Sequence, residues 1–515
     1  MSITKPTIVS TKNGKLEGSF QNRIYVFKGI PYAAAPVGNL RWMPPQPERQ
    51  WSGIRPAKKY GAIASQNLMV MSVPVASSFE DQVQSEDCLF LNIWTPGLDD
   101  ARRPVMFWIH GGAFIMGSGT ESFLESGKLA LRGDIVLVSI NYRLGALGFM
   151  NLKEITSGKI PASGNEGLLD QVAALEWVRE NIAAFGGNPD NITIFGFSAG
   201  GMSVGTLLAM SAARGKFHKA INRSGAANVV ATLENSMQIS EQFFKILGVK
   251  GKDIDSLRAL KIKQLLDGQQ QLSIKLREAE NRPTPFQPVI DGTFLSEYQM
   301  ISIKKGSAKN IVIIAGNTLD ENKAMHAMDS NISGLDEAGL IIRLNKQLPA
   351  QLVSGLVKTY SDALQKHGIK PTPSDILGNI NTDLMLRIPT IRLVETQRDN
   401  GVPAYNYLFT YKSPAMGGVF GAMHGLDNPL LFGNLDAEFT GFSPEVENLS
   451  NKLQDSCAAF AHTGDPSCKS IGKWPVYGES RMTMIFDINT RIETAPYEEE
   501  RSAWNKYDIL SSTPL

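Results

Sequence analysis

The chain contains 515 residues, 43% of them hydrophobic, and its 51 basic and 50 acidic residues give a formal net charge of +1. This balance, without blocks of like charge, disfavours nucleic acid or an anionic membrane surface as a partner. No segment approaches the roughly 18 consecutive apolar residues of a membrane span, and the N-terminal residues lack the apolar stretch of a secretory signal. Three cysteines make no disulfide framework in a chain of this length, so we expect reduced thiols and a cytoplasmic protein.

Six short apolar runs, rich in β-branched and aromatic residues, predict β-strands. Their apolar character is continuous rather than alternating, which is typical of strands buried on both faces of a sheet covered by helices. The runs span residues 104–110, 134–142, 192–197, 310–316, 404–411 and 482–487.

Helical patterns lie between these runs. Residues 165–187 carry apolar side chains at helical spacing and end at two glycines. Residues 236–272 and 335–368 are also helical in pattern, the second with an interruption at Pro349. This order predicts an α/β fold with a central, mostly parallel sheet flanked by helices. We expect the two later segments to form a cap over the sheet and residues 1–515 to form one domain with long insertions.

The sequence HGGAF, residues 110–114, closes the first predicted strand. Two glycines at a strand end allow the backbone to turn so that its N–H groups face a site, as in the oxyanion loop of a hydrolase. An ordinary glycine turn is the alternative. In the functional interpretation, the N–H groups of Gly112 and Ala113 bind a developing oxyanion.

The sequence GFSAGG, residues 196–201, follows the third predicted strand and surrounds Ser198 with small residues. One interpretation is a helix N-cap, for which serine is common. The other is a nucleophile elbow, a G-x-S-x-G turn so tight that only small neighbours fit and the hydroxyl is held out for attack. In that case the N–H of Ala199 is a third oxyanion donor.

A nucleophilic serine needs a base, usually histidine, and an acid that holds the histidine. The order Ser, acid, His of α/β hydrolases excludes His110. The other histidines are His218, expected at a helix end just before a strand, His326, close behind the acidic pair, His367 and His462, expected in surface turns, and His424. The glycine-rich surroundings of His424, residues 417–432, favour it as the base, although an exposed loop histidine is the plain alternative.

The strand at 310–316 ends in a glycine and is followed by Asp320 and Glu321. Functional loops follow the carboxyl ends of strands in sheets of this kind. On physical grounds alone, either carboxylate can serve as the acid.

Seven ordered motifs together resemble the type-B carboxylesterases, the family that also contains cholinesterases and bacterial p-nitrobenzyl esterases. Nearly the full length takes part, and the resemblance implies an α/β-hydrolase fold. The motifs are FKGIPYAAAPVGNLRW (27–42), SEDCLFLNIW (85–94), HGGAF, GNEGLLDQVAALEWVRENIAAFGGNP, GFSAGG, GNTLDE and MHGLDNPLLFG.

The resemblance implies a role for each matching residue. Ser198 matches the nucleophile, His424 the base and Glu321 the acid. The oxyanion hole corresponds to Gly112, Ala113 and Ala199. Ser224, in NRSGA, matches a serine near the acid, with a structural strand-end serine as the alternative. Two structural ion pairs are also implied, Arg41 with Glu86 and Arg143 with Asp170.

Two departures from the family bear on compartment and substrate. Secreted members pair the cysteine of the EDC motif with an upstream cysteine, but no cysteine precedes Cys88. Cholinesterases carry a tryptophan before the SEDC motif that holds a quaternary ammonium by cation–π attraction, and residues 72–84 contain none. Choline esters are therefore not expected as preferred substrates.

The sequence thus predicts a serine carboxylesterase of broad range, acting on small-molecule esters through an acyl-enzyme. We expect this enzyme to need no cofactor or metal. We also expect it to be a bacterial protein that is a monomer or weak homo-oligomer. The alternatives are a non-catalytic binding protein on the same fold, and an amidase or carbamate hydrolase with the same three side chains.

Overall fold

The computed structural model describes residues 6–67, 82–250, 253–280, 284–329, 332 and 334–507. Its strands follow one another in chain order. They are β1 (Ile8–Ser10), β2 (Lys15–Glu17), β3 (Ser19–Gln21), β4 (Ile24–Pro31), β5 (Ile54–Pro56), β6 (Ile63–Ala64), β7 (Gln84–Ser85), β8 (Phe90–Thr95), β9 (Arg103–Ile109), β10 (Val136–Ile140), β11 (Gly187–Phe197), β12 (Lys219–Arg223), β13 (Val312–Thr318), β14 (Ala404–Phe409), β15 (Met482–Phe486) and β16 (Arg491–Thr494).

One large sheet contains most of these strands, in the order β16-β15-β14-β13-β12-β11-β9-β10-β8-β4-β3. From β15 across to β10 every neighbouring pair is parallel, whereas β16 on one side and β8, β4 and β3 on the other are antiparallel. Strands β1, β2 and β5 form a small separate sheet, and β6 pairs with β7. The predicted α/β-hydrolase fold with a central, mostly parallel sheet is confirmed.

Along the chain, most helices follow one strand of the large sheet and precede another. In chain order they are α1 (Lys128–Gly133), α2 (Gly145–Gly148), α3 (Glu166–Asn181), α4 (Ala199–Ala209), α5 (Leu233–Leu247), α6 (Ile254–Ala259), α7 (Ile262–Glu280), α8 (Gln299–Lys304), α9 (Lys323–Met328), α10 (Glu337–Asn345), α11 (Ala350–Lys366), α12 (Pro373–Thr382), α13 (Ile388–Asp399), α14 (Asp427–Leu431), α15 (Pro444–Thr463) and α16 (Glu498–Ala503). Helices α5–α8 connect β12 to β13, and α9–α13 connect β13 to β14.

All six predicted strands are present, with bounds that differ by a few residues. Strand β8 was not predicted, because a polar residue, Asn92, interrupts its apolar run. Asn92 is buried, and its side-chain amide donates to Gly119 O and Ser139 Oγ, each at 3.1 Å, while its oxygen accepts from Gly29 N–H at 3.0 Å. A fully bonded polar side chain can occupy a buried strand at little cost.

Two of the predicted helical segments are divided. Residues 236–272 were expected as one helical block, but Gly248, with φ +67°, ends α5, and two further helices follow. The segment 335–368 breaks at Pro349, as predicted, because proline cannot continue the hydrogen bonding of α10 and instead precedes α11.

Both faces of the sheet are covered by apolar side chains. Adjacent residues of β9, Phe107 and Trp108, point to opposite faces and join different clusters of core residues. Both side chains are fully buried. This two-sided burial explains why the strand sequences are continuously apolar.

The two ion pairs implied by the resemblance are both present and largely buried. Arg41 binds Glu86 through two hydrogen bonds of 2.5 and 2.6 Å. Arg143, which follows β10, binds Asp170 of α3 at 2.7 and 2.8 Å, and its backbone N–H donates to the same carboxylate at 3.0 Å. Both pairs implied by the resemblance are therefore confirmed.

Replacing Asp170 with asparagine should strongly destabilise the fold. The change leaves the Arg143 guanidinium buried without its counter-charge, which typically costs about 3–5 kcal/mol. Equilibrium unfolding in urea, followed by tryptophan fluorescence, measures the loss. Asp267→Asn is the matched control, because the Lys263–Asp267 pair is exposed and such pairs contribute about 0.5 kcal/mol or less. Equal effects of the two substitutions would contradict this account.

Candidate active site

Ser198 occupies the single position between β11 and α4. Its backbone has φ +56° and ψ −125°, a conformation that few non-glycine residues adopt, and its side chain makes no capping hydrogen bond to the helix. The N–H of Ser198 donates to Arg223 O at 2.9 Å, at the end of the neighbouring strand β12. The positive φ and the missing capping bond fit the predicted nucleophile elbow better than an N-cap, and the side chain remains partly exposed.

Close backbone contacts explain the glycines around Ser198. A Cβ on Gly200 would collide with Ile109 O of β9, and one on Gly201 would lie 2.7 Å from Arg223 O. A Cβ on Gly196 would lie 2.5 Å from the carbonyl carbon of Gly200. Helix α4 can therefore begin directly against β9 and β12 only because these positions lack side chains.

The predicted oxyanion loop follows β9 and passes against the serine. A Cβ on Gly111 would lie 3.1 Å from Ser198 Cβ. Gly112, Ala113 and Phe114 have φ values of +108°, +53° and +61°, so three successive residues are left-handed. The N–H groups of Ile115 and Met116 both donate to Gly112 O at 3.0 Å and close the turn.

The three predicted oxyanion donors are the N–H groups of Gly112, Ala113 and Ala199. Within the described part of the chain, none of them donates a hydrogen bond to a backbone or side-chain acceptor. An unpaired backbone N–H is costly when it is buried. The lack of a protein acceptor among the described residues is consistent with their predicted role as oxyanion donors.

His110 contacts the predicted oxyanion loop at Gly111. Its ring is buried and stacks on Tyr142, with centroids 4.4 Å apart and an interplanar angle of 19°. Burial lowers the pKa of His110 to about 4, so the ring is neutral at neutral pH. A neutral ring can donate from Nδ1 to Gly111 O, 2.8 Å away, and Tyr142 Oη donates to His110 O at 2.9 Å.

Glu321 and His424 contact each other above the end of β13. His424 Nδ1 hydrogen-bonds to Glu321 Oε2, and the Glu321 side chain is fully buried whereas 28% of the His424 side chain is exposed. The other oxygen of Glu321 accepts from Ser224 Oγ at 2.6 Å and from Thr318 N–H at 2.7 Å. Every oxygen of this buried carboxylate is therefore bonded, and the carboxylate holds one orientation of the imidazole.

Asp320, the other candidate acid, instead binds the backbone of the loop that carries His424, residues 417–432, called the histidine loop below. Its Oδ2 accepts from Ala422 N–H at 2.8 Å, and its own N–H donates to Ala422 O at 3.0 Å. Residue patterns alone left the two carboxylates equivalent. The structure brings Glu321 to the imidazole and Asp320 to the segment that carries it.

A buried ion pair that was not predicted links the serine to the histidine loop. Arg223 accepts the Ser198 N–H through its carbonyl oxygen, and its guanidinium lies 2.7 Å from Asp427. Both side chains are buried. Asp427 is the first residue of α14, three positions after His424, and also accepts from Tyr407 Oη at 3.3 Å. No local pattern pairs two charges so distant in sequence.

The remaining histidines lie elsewhere. His218 directly precedes β12, as predicted, and is not at a helix end; its Nδ1 accepts from Ile192 N–H at 3.0 Å. His462 was expected in a surface turn but belongs to the last turn of α15, with Nε2 2.9 Å from Gly133 O. His367 follows α11 in a turn, as predicted, and His326 lies in α9.

The described residues can also be compared with the patterns of metal sites and membrane-spanning helices. Across these ranges, no group of three or more His, Cys, Asp or Glu side chains is arranged to hold a metal ion. Likewise, none of the helices described here has the length and apolar character to cross a membrane. Cys88, Cys457 and Cys468 are free thiols. Most of the tryptophan-free segment 72–84 lies outside the described residues, which resume at residue 82.

Comparison with known proteins gives a consistent result. The model of the carboxylesterase family matches residues 5–504. Para-nitrobenzyl esterase of Bacillus subtilis (strain 168) is 39% identical over 507 residues, covering 96% of this chain and 97% of that protein. Phenmedipham hydrolase of Pseudarthrobacter oxydans is 34% identical, covering 92% and 93%. The crystal structure of Geobacillus stearothermophilus carboxylesterase at pH 6.2 superposes with a TM-score of 0.86 at 35% identity, covering 97% and 100%.

The left-handed backbone of Ala113 predicts that glycine is tolerated at this position and that valine is not. Ala113→Gly relieves the positive φ, so ester hydrolysis should stay within about threefold of wild type. Ala113→Val puts a β-branched side chain at φ +53° and should displace the loop, with a loss of about 10^2 to 10^3 in kcat, the usual cost of an oxyanion donor. Steady-state kinetics on p-nitrophenyl acetate, with thermal unfolding as a check of folding, test the pair. A valine variant that folds and keeps full kcat would contradict the assignment of this loop.

Proposed function

The chain belongs to the carboxylesterase family and is a carboxylic ester hydrolase, and we propose that it acts as a serine esterase through an acyl-enzyme formed on Ser198. The observation that carries this proposal is the bonded pair of Glu321 and His424, whose imidazole lies against Phe197, the residue before a serine held on a strained turn. A serine, a histidine and a buried carboxylate together form the arrangement that activates a hydroxyl nucleophile.

In the first half-reaction, His424 Nε2 takes the proton from Ser198 Oγ as this oxygen attacks the ester carbonyl carbon. The carbonyl π electrons move to the oxygen, and the N–H groups of Gly112, Ala113 and Ala199 bind the resulting oxyanion. The tetrahedral intermediate then collapses, the carbon–oxygen bond to the alcohol breaks, and the imidazolium of His424 protonates the leaving alkoxide.

In the second half-reaction, His424 takes a proton from water, and the hydroxide attacks the acyl-enzyme carbonyl. Collapse of the second tetrahedral intermediate releases the carboxylic acid and returns the proton to Ser198 Oγ. Glu321 orients His424 through Nδ1 and stabilises its positive charge. Ser224 supports Glu321, because it donates to the carboxylate oxygen that His424 does not contact.

We propose small-molecule carboxylic esters of broad range as substrates, with no cofactor and no metal. Amides and carbamates require the same acyl transfer, and one relative is named for hydrolysing phenmedipham, so this compound belongs in a substrate panel. A non-catalytic binding protein is the less favoured alternative, because such a protein has no need of both a strained serine and a bonded histidine–carboxylate pair.

The setting of this activity is also a proposal. We propose a single domain over the whole chain, in a bacterial cytoplasm, acting as a monomer or weak homo-oligomer. The match of one family across residues 5–504 supports the single domain, the bacterial relatives support the source, and the free thiols fit a reducing compartment.

Replacing Ser198 with alanine should abolish turnover and leave the fold intact. Loss of the nucleophile typically costs on the order of 10^4 to 10^6 in kcat. Hydrolysis of p-nitrophenyl butyrate measures the loss. As a second measurement, a serine-directed organophosphate should label the tryptic peptide that contains residue 198 in the wild type and leave the variant unlabelled. A folded variant with a tenth of wild-type turnover, or a label found elsewhere, would refute the assignment.

The two adjacent carboxylates should respond differently to removal of their charge. Glu321→Gln should lower kcat by about 10^3 to 10^4, because the imidazolium then loses its counter-charge. Asp320→Asn should cost less than about tenfold, since an amide oxygen still accepts the Ala422 N–H. Each variant serves as the control for the other in the same assay. The reverse ranking would identify Asp320 as the acid.

Choline esters should be poor substrates compared with neutral esters of the same acid. Without the tryptophan that binds the cation, we expect kcat/KM for butyrylcholine to lie at least about tenfold below that for p-nitrophenyl butyrate. Parallel steady-state assays provide the comparison, with n-butyl butyrate as a check on leaving-group effects. A preference for butyrylcholine over n-butyl butyrate would overturn this expectation.

A further inference from the structure

Phe197, the residue before the serine, lies against the imidazole of His424. The centroids of the two rings are 4.4 Å apart and their planes meet at 41°. Phe197 is the last residue of β11 and is partly buried against the apolar cluster that contains Trp108. The residue directly before Ser198 therefore places its aromatic ring on the imidazole of His424.

Two glycines leave space for this ring. A Cβ on Gly425, the neighbour of His424, would lie 2.9 Å from Phe197 Cζ. A Cβ on Gly111, in the oxyanion loop, would lie 3.1 Å from Phe197 Cδ1. Both loops thus have a glycine where they contact the Phe197 ring, and the ring packs between them. Its position is fixed from both sides.

The charge of His424 changes during the proposed reaction, and this change gives the contact a chemical consequence. The imidazole becomes a cation when it takes the proton of Ser198, and again when it takes the proton of water. Glu321 binds one edge of the ring. The face of an aromatic ring attracts a cation whose centre lies within about 6 Å.

We propose that Phe197 is a positioning residue that acts through His424: its ring holds the imidazole against Glu321, and its π face stabilises the imidazolium formed in both half-reactions. This inference rests on the proposed function, because it requires His424 to be the base. It adds a positioning side chain to Ser198, Glu321, His424 and the supporting Ser224. Simple packing is the alternative explanation, and it predicts no dependence on the electrons of the ring.

Fluorination of the ring separates the two explanations. Nonsense suppression can introduce 3-fluoro- and 3,5-difluorophenylalanine at position 197, which withdraw electrons from the ring face with little change in size. The para carbon, which faces Gly425, keeps its hydrogen. Phe195 is the matched control, because it lies two residues earlier on the same strand and packs against Trp108 at 4.9 Å, not against His424.

With p-nitrophenyl acetate, kcat and kcat/KM should fall together at position 197, by about threefold with two fluorines and less with one, while KM stays constant. The same substitutions at Phe195 should leave kcat unchanged, and thermal unfolding should be the same for all variants. An unchanged kcat across the series at position 197, with unchanged stability, would overturn the inference.

Two further variants keep the test decisive. Phe197→Leu removes the π face and should lower kcat by about tenfold at constant KM; if this variant fails to fold, the fluorinated series stands without it. Ser198→Ala is assayed beside them. If Ser198→Ala stays active, the proposed function fails. If it is inactive and fluorination has no effect, only the role of Phe197 fails.

Discussion

The active-site region depends on how closely helix α4 approaches strands β9 and β12. Gly200 and Gly201 lack side chains where the helix backbone meets carbonyl oxygens of these strands. Helix α4 can therefore begin with only one residue between it and the end of β11. The residue between them, Ser198, must therefore turn the chain through a positive φ. Such a conformation costs on the order of 1–3 kcal/mol, and the packed elements on both sides maintain it. The result is a hydroxyl held at the carboxyl edge of the sheet.

The same edge collects the other candidate groups, because parallel strands end side by side. Strand β9 leads into the oxyanion loop, β12 into Ser224, β13 into Glu321, and the histidine loop follows β14. Contacts between loops then fix their relative positions. Asp320 binds the backbone of the histidine loop, and Arg223 joins Ser198 to Asp427. These charged side chains therefore hold neighbouring loops together.

The site was predictable to different extents for different residues. Ser198 and the glycines of the oxyanion loop have local signatures, because tight turns restrict the residue types at each position. The choice of acid does not, since Asp320 and Glu321 follow the same strand and differ only in which way each side chain points. The resemblance to a known family favoured Glu321, and the contact with His424 agrees with it. Arg223 and Asp427 gave no local signal, because each resembles an ordinary surface charge in sequence.

The sequence by itself determined the α/β fold class, six strands of the large sheet and the helices within three segments, since hydrophobic periodicity is a local property. The type of chemistry followed from the resemblance of its ordered motifs to a known family. The tertiary structure decided which distant residues meet. It separated the roles of Glu321 and Asp320, paired Arg223 with Asp427, and placed the ring of Phe197 on His424. These contacts depend on the order of strands in the sheet and on the paths of the loops between them. Neither is encoded in the pattern of any single segment.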